Sequence, residues 1–362
     1  MTRKVKIGII GAGQIAKSHA KAYLDMEDVE IIGVADINLN KAEQFINELN
    51  IKTASAFQEY EDLLLLAIDA VSVCTPNFAH FQTSVDALIA KKHVIVEKPL
   101  AVTLDQGIEM IKVAKANEKI LSVGYQPRYD PNMKKVSEII NSGKLGDIYY
   151  VEIGGGRRRG MPGGTFINKS SAGVGALGDI GTYSIDLALN ALGNPRPLTV
   201  SAYTTNHFGT NPKYHPESDN FEVEDFGVAM VRLERNITMY IKIAWAMHMD
   251  TLGPAIFLGK NAGLKITPAG DGPWSGVWDG GIGAMSLFYD KSTNEHVEEK
   301  LPIVKHSLDI FSEKIKDFVN AVKYNKPAPI PGEDIILNQA IIDAIIRSSE
   351  SGKEIEVELP EF

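Results

Sequence analysis

Over its first third the chain alternates apolar runs of strand length with segments of helical period. Residues 5–10, 30–35, 70–74, 93–96 and 120–124 read as strands. Residues 14–25, 39–49, 79–90 and 104–117 read as helices. Strands buried on both faces of a sheet are continuously apolar rather than alternating, as these are. The order predicts an α/β domain over residues 1–125, built on a doubly wound parallel sheet.

The pattern changes after about residue 125. Helical patterns at 131–142 and 180–192 bracket a Gly- and Arg-rich segment, 154–178. Strand-like runs follow at 198–205, 221–233 and 237–245. Met239, Ile241, Ile243 and Trp245 alternate with Thr238, Tyr240, Lys242 and Ala244, which gives a sheet with one apolar face. Glu234, Arg235 and Asn236 are few enough for a hairpin turn. Residues 126–362 are therefore expected to form an α+β domain with a large, mostly antiparallel open sheet. Helical patterns at 308–324 and 333–351 flank a Pro-rich turn, and the second of these can pack back near the first domain.

Composition sets limits on partners. The 362 residues suffice for two domains. Hydrophobic residues at 44% and charged residues at 23% describe a globular, soluble chain. A net charge of −9 makes nucleic acid or an anionic membrane ill suited as the main partner. No run approaches the roughly 20 apolar residues of a membrane span. The basic and then apolar N-terminus is too short for a signal peptide and is interrupted by glycines. The single cysteine, Cys74, excludes an intramolecular disulfide and sits in an apolar run as a small core residue. A reducing compartment, the cytoplasm, is expected. The eight histidines show no closely spaced metal pattern, and no metal is expected.

The chemistry begins with Gly11-x-Gly13-x-x-Ala16, which follows the first strand and opens the first helix. Gly11 permits the tight turn, Gly13 lets the backbone approach a pyrophosphate, and Ala16 allows close helix–strand packing. The pyrophosphate would rest on the helix N-terminus, at Gln14 and Ile15, where free N–H groups and the dipole favour anions. Asp36 ends the second strand 23 positions after Gly13, where a carboxylate can accept from ribose hydroxyls. The same carboxylate repels a ribose phosphate, and no arginine follows it, so NAD is favoured over NADP. Lys41 keeps NADP open. A glycine turn with a surface aspartate is the bland alternative.

Further motifs follow in order: Thr75-Pro-Asn77-x-x-His80, Glu97-Lys98-Pro99, Gly124-Tyr-Gln-Pro-Arg128, and Gly178-Asp179-Ile-Gly181-Thr-Tyr183-Ser-Ile-Asp186. Together with the glycine motif and the C-terminal segments they resemble the Gfo/Idh/MocA oxidoreductase family essentially end to end. The resemblance implies a Rossmann domain followed by a substrate-binding and oligomerisation domain. It implies a cis peptide between Lys98 and Pro99, with Lys98 directed into the site. An ammonium there can donate to a substrate oxygen and stabilise developing negative charge. Asn77 and His80 are implied on the cofactor's ribose side, with Thr75 and Glu97 in the same loops. Arg128 is implied near the cofactor–substrate junction, with a domain-linking salt bridge as the alternative, and Asp186 reads as structural. Packing of the open sheet against another subunit is implied, hence a homodimer or homotetramer.

Asp179 and Tyr183 are spaced to share one helix face. Many family members carry histidine at the position of Tyr183. A free tyrosine, with a pKa of about 10, is a poor base, and a nearby Lys98 ammonium would favour its phenolate. Tyr183 as a buried aromatic, and Asp179 as a helix N-terminal carboxylate, are the plain alternatives. Arg157, in the triplet Arg157-Arg158-Arg159, is either on a solvated loop or at a pocket rim where it contacts an acidic or hydroxylated sugar. His248 can reach the pocket mouth. Trp274 and Trp278 either stack on a sugar ring or pack in the core.

The expected function is an NAD(P)-dependent oxidoreductase that moves hydride between a sugar or cyclitol carbon and nicotinamide. Lys98, Asp179 and Tyr183 are the expected catalytic residues, and Arg157 and His248 join them around a carbohydrate or polyol substrate. Two alternatives stand beside it. One is a retained-cofactor cycle giving paired oxidoreduction or redox-assisted glycoside cleavage. The other is a non-catalytic nucleotide-binding regulator.

Overall fold

Tight βα turns and short crossovers build the N-terminal half. A computed structural model of the chain describes residues 3–250, 252–268, 275–276, 282–304 and 309–360. The chain divides into two compact units, 1–126 with 308–336, and 127–307 with 337–361. Trp274 and Trp278 lie outside the described residues.

The first unit alternates β1 (Val5–Ile10), α1 (Gln14–Leu24), β2 (Val29–Ala35), α2 (Leu39–Glu48), β3 (Ser55–Phe57), α3 (Tyr60–Leu64), β4 (Ala70–Val73), α4 (Asn77–Ile89), β5 (His93–Glu97), α5 (Leu104–Ala116) and β6 (Leu121–Gly124). The strands form a parallel sheet in the order β3-β2-β1-β4-β5-β6, the doubly wound Rossmann arrangement. Its strand order reverses between β1 and β4, and ligands bind at the carboxyl ends of strands beside such a switch point. Cys74 is buried there, and burial pushes its thiol pKa up. At the far edge, Val123 donates its N–H to Ile330 O, so the 330–331 segment covers β6.

The second unit opens with α6 (Pro131–Asn141), whose N-cap Asp130 accepts from Asn132 and Met133 N–H. It continues through β7 (Ile148–Gly156), the single turn α7 (Lys169–Ala172) and α8 (Thr182–Ala191). Strands β8 (Pro197–Thr205), β9 (Phe226–Leu233), β10 (Ile237–Ala244), β11 (Ala255–Gly259), β12 (Ala262–Pro268), β13 (Ser275–Gly276), β14 (Ile282–Ser292) and β15 (Glu295–Leu301) follow. Then come α9 (Ile310–Tyr324), which belongs to the first unit, α10 (Gly332–Ser351) and β16 (Ile355–Glu356).

The large sheet runs β15-β14-β12-β11-β7-β10-β9-β8-β16, with β13 beside β7, and among the described residues only β7 and β10 pair in parallel. Met239, Ile241, Ile243 and Trp245 turn to the core as their alternation predicts, joined by Ile237, Val151, Ile153, Ala229 and Val231. Arg235 and Asn236 have φ of 62° and 59° in the β9–β10 turn, the left-handed conformation of a tight hairpin.

Helix α9 illustrates how the two units are threaded. Its sequence follows strands β7–β15 of the large sheet, yet Ile315, Phe318 and Val319 join the first unit's core with Ala16, Ala20 and Tyr23 of α1. Among the described residues, no helix is long and apolar enough to cross a membrane.

Candidate active site

The loops after β1, β2, β4 and β5 all emerge at the carboxyl edge of the parallel sheet. Gly11 has φ +94°, and a Cβ there would lie 2.6 Å from Cys74 O, so the turn admits only glycine. Gly13 is the N-cap of α1, and a Cβ on it would project into open space, with nothing within 4 Å. No side chain caps α1 and no acidic residue stands in its first turn. The first N–H groups and the positive dipole end therefore meet a cradle that any side chain at residue 13 would fill. Gln14 is exposed, Ile15 half-buried, and Ala16 fully buried as close packing requires.

Asp36 Oδ2 accepts from Ala12 N–H at 2.9 Å and Oδ1 from Asn38 N–H at 3.0 Å, which fastens the end of β2 to the glycine turn. The cradle, the uncapped helix and this carboxylate fit a dinucleotide. Asp36, Thr75 and Asn77 are half-buried. His80 is buried and faces two carbonyls, Nδ1 at 2.7 Å from Pro99 O and Nε2 at 3.0 Å from Thr75 O. It ties the loop after β4 to the loop after β5. Burial pushes its pKa down, against the upward pull of the two carbonyls.

Glu97 ends β5 in the core, and Lys98 follows half-buried, joined to Pro99 by a cis peptide. Glu97 lies 2.8 Å from His19 Nε2 and pairs with Lys314 of α9. Burial opposes ionisation of Glu97, but the Lys314 ammonium and the His19 hydrogen bond together hold its carboxyl well below the usual range. Gly124 lies beside it because a Cβ would approach Glu97 Oε1 to 2.5 Å.

The other expected residues stand in the second unit. Asp179 belongs to a π-helical turn, Leu177–Gly181, that leads into α8. Sequence spacing predicts one regular α-turn between Asp179 and Tyr183. The wider π-turn intervenes, a local irregularity frequent at functional sites. Both side chains are half-buried. Asp179 Oδ2 accepts from Trp245 Nε1 at 2.9 Å, and Arg157 Nη2 lies 4.0 Å away. Trp245 is fully buried and packs edge-on against Phe221. Burial lowers the pKa of Arg157, partly offset by the Asp179 charge, and its Nη1 donates to Gly160 O at 2.9 Å. Asp179 thus sits in a polar corner formed by Trp245 and Arg157.

Below this corner, Glu224 is buried against the start of the helix. It accepts from Gly175 N–H at 2.8 Å and Leu177 N–H at 2.9 Å. Arg128 forks onto Asp186, with Nε to Oδ2 at 2.9 Å and Nη2 to Oδ1 at 2.7 Å. Both residues lie within the second unit, so this salt bridge is not the domain link that the sequence left open. His248 is exposed, edge-on to Phe208 and Tyr214, with Arg159 Nη2 at 3.3 Å. Arg159 also lies over both aromatic rings. The arginine triplet therefore splits: Arg157 turns to Asp179, Arg159 to His248.

Sequence reasoning did not single out Trp245 as a partner for Asp179, nor Glu224 or Lys314, and it marked Arg159 only as part of the arginine triplet. A tryptophan ending an alternating strand was a visible signal; Glu224 and Lys314 have no local motif. Among the described residues, no group of three His, Cys, Asp or Glu side chains is arranged to hold a metal.

Residues 5–125 match the sequence model of the oxidoreductase family with an NAD-binding Rossmann fold, and residues 133–265 match the C-terminal domain of the same family. The chain belongs to the Gfo/Idh/MocA oxidoreductase family. Like other Gfo/Idh/MocA proteins it is an NAD(P)-dependent oxidoreductase.

It is similar to the D-glucoside 3-dehydrogenase of Escherichia coli K12, 28% identical over 98% of this chain and 97% of that one. It is also similar to the scyllo-inositol 2-dehydrogenase (NADP(+)) of Bacillus subtilis 168, 23% identical over 98% of this chain and 96% of that one. Levoglucosan dehydrogenase, in a complex with NADH and levoglucosan, shares the fold with a TM-score of 0.82 at 19% identity, covering 99% of this chain and 100% of that one.

Proposed function

We propose that this Gfo/Idh/MocA enzyme is an NAD-preferring dehydrogenase for a ring hydroxyl of a sugar, sugar derivative or cyclitol. The observation that carries the reading is Lys98 at the carboxyl end of β5, on the same sheet edge as the open glycine cradle. The D-glucoside and inositol dehydrogenases named above support the substrate class.

Bound at the cradle, NAD supplies the acceptor for a hydride from the hydroxyl-bearing carbon. Lys98 donates to the reacting oxygen and steadies its developing negative charge. Tyr183, entering as its phenolate, receives the hydroxyl proton as the carbonyl forms, and in the reverse direction returns it as the phenol. Asp179, steadied by Trp245, accepts from a substrate hydroxyl. Arg157 and His248 bind further hydroxyls. Gly11, Gly13, Gln14, Ile15, Ala16 and Asp36 hold the pyrophosphate and ribose, with Thr75, Asn77, Glu97 and Arg128 completing the binding set. His80 contributes through the two loops it joins. NAD is favoured because the Asp36 carboxylate repels a ribose phosphate. A single buried cysteine suits a reducing compartment, and the cytoplasm is the proposed location.

The test is absorbance of reduced nicotinamide with NAD and NADP in parallel, across glucosides, free sugars, sugar acids and inositols. Lys98→Ala should lower kcat about 10²–10³-fold on the best substrate while the protein still binds NADH. Full turnover in Lys98→Ala would sink the assignment. Silence of the wild type across the panel, with nucleotide already bound after purification, would instead favour the retained-cofactor cycle.

A further inference from the structure

Two buried polar groups of the Rossmann segment are completed from outside it. Glu97 and His19 lie in the core of the first unit. Lys314, on α9, is only 1% exposed, and its Nζ donates to Glu97 Oε1 and lies 3.2 Å from His19 Nε2. His19 Nδ1 lies 3.0 Å from Ser72 Oγ, and Tyr23 OH lies 2.7 Å from the same oxygen.

One arrangement of protons satisfies the whole chain. Tyr23 O–H donates to Ser72, Ser72 O–H to His19 Nδ1, and His19 Nε2–H to Glu97; Lys314 supplies the second donor to Glu97. The imidazole is then neutral, and the carboxylate and ammonium cancel inside the core. Removing the ammonium alone would leave a buried charge uncompensated. Lys314 falls outside both segments that match the family's sequence models, 5–125 and 133–265.

We infer that Lys314 is a positioning residue for Lys98: its ammonium grips the Glu97 carboxylate, and Glu97 fixes the start of the loop that carries Lys98. The effect on turnover rests on the reading of Lys98 given above; the effect on Lys98 itself does not. Lys314 is carried by α9, which Ile315, Phe318 and Val319 anchor in the first unit's core.

The experiment compares full-length wild type, Lys314→Met, Lys98→Ala and the charge-neutral double variant Glu97→Gln/Lys314→Met. Thermal melting reports the fold. Competitive acetylation with acetic anhydride, read by mass spectrometry, reports the reactivity of the Lys98 amine with no substrate or nucleotide present. Initial rates with NAD and the best substrate of the panel report turnover.

Lys314→Met should raise the acetylation rate of Lys98 several-fold and lower kcat roughly tenfold or more, with KM nearly unchanged. The double variant should recover melting temperature without recovering wild-type Lys98 reactivity. Unchanged Lys98 reactivity in Lys314→Met overturns the inference, because Lys98 then does not sense Lys314. Full return of that reactivity in the double variant also overturns it, because charge balance alone then suffices. Should Lys314→Met fail to fold, the double variant decides by the same criterion. Full turnover in Lys98→Ala would remove the catalytic reading and leave the acetylation result to judge the positioning.

Discussion

Tyr183 is the proposed acceptor of the hydroxyl proton, and exchanging it for histidine has a readable consequence. A free tyrosine loses its proton near pH 10, an imidazole near 6.5. If Tyr183 receives the hydroxyl proton, Tyr183→His should move the rising limb of kcat/KM for oxidation down by about two pH units or more. Tyr183→Phe should lower kcat about 10²–10⁴-fold, the usual worth of a general base. An unshifted pH profile in Tyr183→His would remove Tyr183 from the proton path. Glu224 gives a second residue-scale test. Burial raises its pKa to about 7 from 4.5, against the pull of the Gly175 and Leu177 N–H groups, with neighbouring Asp225 adding to the rise. Between those two values the folded chain holds a proton that the unfolded chain has released. Glu224 therefore lowers stability as pH rises from 4.5 to about 7, and adds no further slope above that. Relative to Glu224→Gln, the wild type should lose on the order of 3 kcal/mol across this window. Denaturant unfolding at pH 4.5, 6 and 7.5 checks it, and parallel curves for the two proteins would refute it. Neither Glu224 nor Lys314 was legible as a site residue, because each gains its meaning from partners about 50 or over 200 positions away.

At the scale of elements, the parallel βα units were readable because strands covered on both faces must be continuously apolar. Strand β7 was not. Its sequence ends in Gly154-Gly155-Gly156, which reads as part of a loop, since glycine weakens a strand. The structure supplies the reason for the first of them: a Cβ on Gly154 would lie 2.6 Å from Lys242 O of β10. The close approach of β7 and β10 therefore selects glycine, and it leads directly into Arg157. Strand β15 was hidden for a different reason. It has no buried residue, and its sequence, Glu-His-Val-Glu-Glu-Lys-Leu, is that of a charged edge strand that resists further pairing. The helix over 182–191 was visible, but the π-turn before it was not, because no side-chain pattern marks a change of backbone period. Gly154→Ala tests the account of β7. The added methyl should cost about 1–3 kcal/mol, as overpacking does, and should lower activity by moving Arg157. Chemical denaturation with parallel rate measurements checks it, and wild-type stability would show that β10 yields without cost.

Within the second unit, the large sheet has a second face that, among the described residues, carries half-buried side chains instead of the buried core. The opposite face carries the core, including Val151, Ala229, Ile241 and Phe257. On this second face Met230, Tyr240, Glu152 and Ile256 stand side by side across β9, β10, β7 and β11. All four are half-buried in the single chain, and Lys242 pairs with Glu152 at 2.5 Å. Mixed apolar and paired charged groups on a broad sheet suit a self-complementary contact, which needs about 800 Å² per partner. We therefore expect a homodimer or homotetramer joined through this face. Light scattering should give at least twice the 39.5 kDa of one chain. Met230→Glu with Ile256→Glu places two new carboxylates in that row, the second directly beside Glu152, and should shift the mass to that of one chain while circular dichroism stays unchanged. Because both positions face away from the core, loss of the fold is not expected from either change. A wild type that scatters as a monomer at micromolar concentration would overturn the assembly. A double variant that remains oligomeric would move the contact to another surface. If the monomeric variant also keeps full turnover, each chain carries a complete site and the assembly serves stability; if turnover falls with the mass, a neighbouring chain is needed to complete it.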